Sequence, residues 1–208
     1  MIGLENIGAT RHTKIAGDEE TLVGAARWKI VAGILVALAV IVVAVVLLTG
    51  DSNDSPSVDP TIATHQNYHQ AQYDAGIANA WAPHGSDRRI GSYLESSWRY
   101  PFNQAAAFTI YSSTADETGS PAAAADLARV QIHKLPGYRE RGLKEIRLRG
   151  IPAVRWTFGL PGTVYAEYFF EECGIGLITR ASAPAGIWDE LTSLFQRMAS
   201  LTTANCDG

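Results

Sequence analysis

The sequence lacks the short motifs by which common enzyme classes are recognised. It contains no G-x-S-x-G, no H-E-x-x-H, no phosphate-binding loop and no C-x-x-C. It also lacks a basic excess, because 17 Lys and Arg stand against 21 Asp and Glu and give a formal net charge of −4. A nucleic-acid-binding domain usually carries a strong excess of basic residues. We therefore expect no enzymatic activity, no nucleic-acid partner, no catalytic residues, no cofactor and no metal site.

Charged residues are absent from one long apolar run, residues 30–50. As a helix this run would be about 30 Å long, which is the thickness of the hydrocarbon core of a bilayer. Arg27 and Lys29 precede it, and acidic residues follow it, so the N-terminus is predicted to be cytoplasmic. The alternative, a cleaved signal peptide, needs a shorter apolar region nearer the N-terminus.

This run divides the chain into four predicted parts. Residues 1–29 form a cytoplasmic tail without apolar periodicity, which we interpret as disordered, and residues 30–50 form a single transmembrane helix in the lipid bilayer. Residues 51–66 form a linker rich in Ser, Asp and Pro. Residues 67–208 form one extracytoplasmic domain, which places the protein in the cell membrane as a single-pass protein.

Cysteine is scarce, and the two residues present are Cys173 and Cys206. Both lie in the part predicted to be outside the cell membrane, where disulfides persist. An even number of cysteines there favours a disulfide, which would hold the C-terminal tail against a strand region. Two free thiols are the alternative.

Strand patterns dominate residues 67–180. Alternation over Ser92–Tyr100 predicts a half-buried strand, and further strands are predicted over residues 73–81 and, more briefly, 105–111. Four further runs separated by short turns with Gly or Pro predict an antiparallel meander. These runs are residues 144–149, 153–158, 164–171 and 175–180.

Two helices complete the domain. Ser120 followed by Pro121 predicts a helix start, with Ala124, Leu127 and Val130 on its apolar stripe. A second helix is predicted over residues 185–201. Its apolar stripe comprises Trp188, Leu191, Phe195, Met198 and Leu201. The predicted fold class is therefore α+β, with one antiparallel sheet packed by two helices and preceded by the transmembrane helix.

Basic residues are concentrated between residues 129 and 155, where Glu140 and Glu145 are the two acidic residues. Within this run we predict an anion-binding patch, because clustered cations attract lipid head groups or an anionic envelope polymer. The patch comprises Arg139, Arg141, Lys144, Arg147 and Arg149. Strand alternation predicts that Arg147 and Arg149 project from the same sheet face. The alternative is a solvated face whose charges pair with scattered acids.

The element order resembles the PsbP-like fold, which is shared by Ran-binding Mog-type proteins and small actinobacterial lipoproteins. Residues 143–160, LKEIRLRGIPAVRWTFGL, resemble that group's pattern of a strand, a G-x-P-A turn and an aromatic strand. Residues 187–201, IWDELTSLFQRMASL, resemble its closing amphipathic helix. The resemblance implies an α+β domain without shared catalytic residues.

These features favour a non-catalytic binding or scaffold domain outside the membrane. Its expected partners are an envelope component or a membrane or envelope protein. The alternative hypothesis is a transmembrane sensor, in which the outer domain binds a ligand and the short tail signals inside.

Overall fold

The computed structural model of the chain describes residues 65–114 and 119–206. The predicted tail, the predicted transmembrane helix and most of the predicted linker lie outside these residues. Within the two described ranges, no helix is both long enough and apolar enough to cross a membrane.

The described residues form eleven strands and two helices, with the order β1–β6, α1, β7–β10, α2 and β11. The first six strands are β1 (His65–His69), β2 (Tyr73–Ala78), β3 (Ala82–Pro83), β4 (Arg88–Ile90), β5 (Tyr93–Tyr100) and β6 (Asn103–Thr114). The remaining strands are β7 (Arg139–Leu148), β8 (Ile151–Leu160), β9 (Thr163–Glu172), β10 (Ile175–Pro184) and β11 (Thr202–Ala204). The helices are α1 (Pro121–Ile132) and α2 (Trp188–Ser200). The first strand begins two residues before the predicted start of the domain at residue 67.

The eight-stranded antiparallel sheet has the order β3-β5-β6-β10-β9-β8-β7, and β4 also pairs with β5. The meander predicted from the alternating runs is confirmed as β7 to β10, although each strand is longer than its apolar run. A second sheet, with the order β1-β2-β11, was not predicted. Its strands have three to six residues, which is too short for a clear period-2 pattern.

Two-residue turns set the register of the meander. Leu148 pairs with Ile151 across Arg149 and Gly150, and both turn residues have positive φ. This is the geometry of a type I′ turn, whose twist matches that of the flanking strands. Glu172 pairs with Ile175 across a similar turn at residues 173–174.

One face of the large sheet, here called the α1 face, packs against α1. Ala125, Ala128 and Ile132 of the helix join an aromatic layer that includes Trp156 and Phe158. The predicted stripe of Ala124, Leu127 and Val130 was wrong at Val130, which is 50% exposed. Ala124 does pack against this layer, but the fully buried residues of the helix are Ala125, Ala128 and Ile132. Small side chains allow the helix backbone to approach the bulky aromatic layer closely.

The other face, here called the α2 face, packs against α2 and the small sheet. Trp188, Leu191, Phe195 and Met198 are buried there, which confirms most of the predicted stripe. Helix α2 lies over β10 and contacts β2 and β11 of the small sheet. Tyr68 of β1 packs edge-on against Trp98 of β5, with 4.9 Å between the ring centroids. Leu148 of β7 and Ala153 of β8 join this core, and residues 139–144 of β7 form a margin of this face.

Candidate functional site

A bulge in β7 separates the charges of that strand between the two faces. Arg139 pairs with Gly159 and Glu140 with Phe158, but the register then shifts, so that Gly142 pairs with Thr157. Opposite residues of antiparallel strands point to the same face. Glu140 therefore shares the α1 face with Phe158, while Arg139 shares the α2 face with Gly159. Beyond the bulge at residue 141, Lys144 pairs with Arg155 and also lies on the α2 face.

Four cations thus come together on the margin of the α2 face. We call this set the basic margin, and its members are Arg139, Arg141, Lys144 and Arg155. Arg141 belongs to it because its Nε atom lies 3.7 Å from the position that a β-carbon on Gly159 would occupy. Among the ion pairs of the described residues, none involves any of these four side chains.

The environment of Arg155 is the most unusual in the basic margin. Its guanidinium carbon lies 5.9 Å from the centroid of the Tyr168 ring, within the range of a cation–π contact. Its Nε atom is buried and has no hydrogen-bond partner in the structure. Its register partner is Lys144, and two like charges directly opposite each other repel. Burial raises the pKa of the Tyr168 hydroxyl and the nearby Arg155 opposes that rise. An anion at this margin would therefore relieve repulsion that the fold leaves uncompensated.

Two residues of the predicted patch lie elsewhere. Arg147 pairs with Pro152 on the α1 face and donates a 2.7 Å hydrogen bond to the carbonyl oxygen of Gly150. Arg149 follows the end of β7, and its guanidinium carbon lies 6.0 Å from the Phe170 ring centroid, on the α2 face. The prediction that Arg147 and Arg149 project from the same face was therefore wrong. Strand alternation ends at Leu148, because Arg149 is the first residue of the type I′ turn.

Arg149 instead fastens the C-terminal segment to the sheet. Its side chain donates hydrogen bonds to the carbonyl oxygens of Ser200 and Thr202, and it forms a 2.9 Å ion pair with Glu172. Glu172 also accepts a 3.0 Å hydrogen bond from the backbone N–H of Ala204. We call this set of contacts the C-terminal clasp.

A disulfide adjoins the C-terminal clasp. Cys173, next to Glu172, is bonded to Cys206, and their Cα atoms are 5.5 Å apart. The bridge joins the turn between β9 and β10 to the segment that follows β11. The C-terminal tail is thus held to a strand end, as the sequence analysis expected of a bridge.

The α1 face carries a different arrangement, a row of polar side chains across four neighbouring strands. Ser97, Thr109, Arg180 and Glu167 follow one another in register on β5, β6, β10 and β9. Arg180 and Glu167 are buried and form a 2.5 Å ion pair. Burial alone would lower the pKa of the Arg180 guanidinium, but the adjacent Glu167 carboxylate raises it above its ordinary value. This pair is therefore a charged but internally satisfied part of the sheet.

A groove of about 500 Å³ lies on the α1 face between the start of α1 and the turn between β7 and β8. Ser120 and Pro121 line one side, and Glu145, Arg147 and Val154 line the other. The charged residues there are of opposite sign. In the part of the chain that the structure describes, no group of three His, Cys, Asp or Glu residues could hold a metal ion.

No protein-family model and no curated protein sequence matches this chain. Its fold is nevertheless similar to the solution structure of the PsbP protein of the cyanobacterium Synechocystis, CyanoP. The TM-score is 0.53 at 12% identity, and the match covers 76% of this chain and 99% of CyanoP. The chain has a PsbP-like fold. The fold that the sequence resemblance predicted is therefore confirmed.

Two further solved structures match this chain with lower TM-scores. The Ran-binding protein Mog1p of Saccharomyces cerevisiae matches with a TM-score of 0.46 at 6% identity, over 67% of this chain and 96% of Mog1p. LpqN of Mycobacterium tuberculosis, described as involved in cell envelope biogenesis, matches with a TM-score of 0.40 at 16% identity. That match covers 72% of this chain and 87% of LpqN.

The predicted patch did not include Arg155, although the sequence carried a signal for it. A two-residue turn at residues 149–150 pairs Leu148 with Ile151, and counting outward from that pair brings Arg155 opposite Lys144. The bulge at Arg141 has no comparable signal, because a run of charged residues on an edge strand accepts a bulge at several positions.

Proposed function

We propose that this chain is a single-pass membrane protein whose extracytoplasmic PsbP-like domain is a non-catalytic binding or scaffold module. The domain holds an anionic envelope component or an anionic region of a protein partner at the basic margin. The observation that carries the proposal is the set of four cations on one sheet margin without an acidic partner in the described residues.

The clustering of the unpaired cations supports this choice. Among the described arginines outside the basic margin, Arg88, Arg129, Arg149 and Arg180 each form an ion pair with a carboxylate. Arg89, Arg99, Arg147 and Arg197 form none, but they do not belong to a set of cations that share one margin. A protein that needed its cations only for stability would gain from pairing them, since unpaired like charges opposite each other are unfavourable. The cations of the basic margin are thus available to an external anion.

Binding of long-chain inorganic polyphosphate tests the basic margin directly. The full chain, purified in a neutral detergent, is titrated with polyphosphate at several salt concentrations. The double variant Lys144→Gln/Arg155→Gln should lose about tenfold in affinity, and its salt dependence should become shallower, because fewer charges contact the anion.

A matched control removes the same charge elsewhere. Arg89 on β4 and Lys134 after α1 are both exposed, and neither belongs to the basic margin. The variant Arg89→Gln/Lys134→Gln should bind polyphosphate like the parent chain. Equal losses in both double variants would contradict the proposal, because they would indicate a response to net charge alone.

The membrane topology has its own test. Protease added to intact cells should cleave within residues 65–206 while residues 1–29 stay protected. Deleting residues 1–26 should leave binding at the basic margin unchanged, whereas a sensor would lose its signal. A domain protected in intact cells and cleaved only after lysis would contradict the proposed sidedness.

A further inference from the structure

Strand β7 is an edge of the large sheet. It pairs with β8, and no other described strand pairs with it. From Gly142 to Leu148 the register with β8 is uninterrupted. Seven residues of extended chain are about 23 Å long, enough for a short added strand. The outer side of this edge presents backbone N–H and C=O groups that a further strand could bind.

The two sides of this edge have different chemistry. On the α2 face, Lys144 points outward beside Arg155, with Arg141 at the bulge and Arg139 before it. On the α1 face, Leu143 is 37% exposed opposite Trp156, and the exposed Glu145 and Arg147 follow it. An added strand would therefore meet cations around Lys144 on one face, and an apolar surface at Leu143 followed by two opposite charges on the other.

A second copy of the same edge does not fit this pattern. Lys144, Arg147 and Arg155 outnumber Glu145 around this edge, so two β7 edges brought together would each carry net positive charge, which opposes their association. Lysines and bulges on edge strands are known devices against such self-association. An acidic strand would instead meet a surface of opposite net charge.

We propose that the edge of β7 from Gly142 to Leu148 binds an extended acidic segment of a protein partner as an additional strand. The acidic side chains of that segment alternate with apolar ones and face the basic margin. This inference rests on the proposed function, because it names the partner class that the basic margin recognises.

A fluorescent heptapeptide of alternating Glu and Val is the probe. Fluorescence anisotropy measures its binding to the full chain in neutral detergent. Two further peptides carry N-methyl groups on alternate residues, one set on the odd positions and one on the even positions. A strand uses only one of its two edges to pair with β7, so one methylated peptide should bind about tenfold or more weakly than the other.

Hydrogen exchange supplies a second measurement. Peptide binding should slow amide exchange in residues 142–148, because the outer N–H groups become hydrogen-bonded. The Lys144→Gln variant should bind the peptide several-fold more weakly, and the Arg89→Gln/Lys134→Gln control should not. A Gln-Val peptide of the same length should bind more weakly than the Glu-Val peptide at low salt.

The outcomes separate the two proposals. Equal binding by both methylated peptides, or unchanged exchange in residues 142–148, would overturn strand addition while leaving polyphosphate binding at the basic margin intact. If the Lys144→Gln/Arg155→Gln variant bound both the peptide and polyphosphate as tightly as the parent chain, both proposals would be overturned. Preferential binding of the chain to itself would assign the edge to a second copy and overturn the acidic partner.

Discussion

Two regions of the large sheet, one on each face, use charge in opposite ways. On the α1 face, Arg180 pairs with Glu167, and Arg129 of the helix pairs with Glu140 of β7. On the α2 face, Lys144 and Arg155 lie opposite each other, and neither forms an ion pair with any described residue. Paired charges within a sheet stabilise one arrangement of its strands, whereas unpaired ones are free to meet a ligand. Charge alone therefore does not identify a binding surface, and the pairing of each charge has to be known.

The largest expected effect comes from breaking the buried pair. Glu167→Gln leaves the Arg180 guanidinium buried without its counter-ion and should lower the free energy of unfolding by about 3–5 kcal/mol. Urea unfolding of the full chain measures this. The double variant Glu167→Leu/Arg180→Met should recover most of the loss, because it removes both charges together. A Glu167→Gln variant as stable as the parent would show that the α1 face does not depend on this pair.

An intermediate effect should distinguish Arg147, near the end of β7, from Arg149, in the turn that follows. Arg149→Gln removes charge-assisted hydrogen bonds to two carbonyl groups and Glu172, and should cost about 2 kcal/mol of unfolding free energy. Arg147→Gln, which removes one exposed hydrogen bond, is the matched control and should cost less than about 0.5 kcal/mol. Amide exchange in residues 202–204 should accelerate only in Arg149→Gln. If both variants lost the same unfolding free energy, the contacts of Arg149 in the C-terminal clasp would contribute no more than the exposed hydrogen bond of Arg147.

The smallest effect on stability belongs to the basic margin. Lys144→Gln removes a like charge opposite Arg155 and should change the unfolding free energy by less than about 0.5 kcal/mol, in the stabilising direction. Raising the salt concentration should reduce this difference, because salt screens the repulsion. Urea unfolding of the full chain again measures this difference. A marked destabilisation would mean that Lys144 has a structural role.

Much of this architecture is predictable from local patterns. The alternating runs separated by Gly and Pro turns predicted the meander, and Ser120 with Pro121 predicted the start of α1, where the Ser120 hydroxyl accepts a 3.2 Å hydrogen bond from Ala123. The aromatic stripe of α2 was also clear, because large apolar residues contrast strongly with their polar neighbours. These signals are local and need no knowledge of the tertiary structure.

The features that were not predicted depend on distant contacts. An alanine-rich helix has little contrast between its faces, so the choice of Ala125 and Ala128 as the buried side is made by the aromatic layer beneath them. The bulge at Arg141 depends on pairing with β8, and it decides which faces Arg139 and Glu140 join. The role of Arg149 depends on carbonyl groups about fifty residues further along the chain. For the basic margin, the sequence analysis therefore named Arg139, Arg141 and Lys144, but it omitted Arg155 and included Arg147 and Arg149, which lie elsewhere.

The covalent bond between Cys173 and Cys206 couples the maturation of this domain to its environment. Closing a loop of this size contributes about 3–4 kcal/mol in the chain-entropy model, and the bond persists where the surroundings are oxidising. A copy retained in a reducing compartment would lack that contribution and would hold its last strand through noncovalent contacts alone. Under the topology proposed above, molecules that failed to reach the oxidising side would therefore unfold more readily than those that reached it.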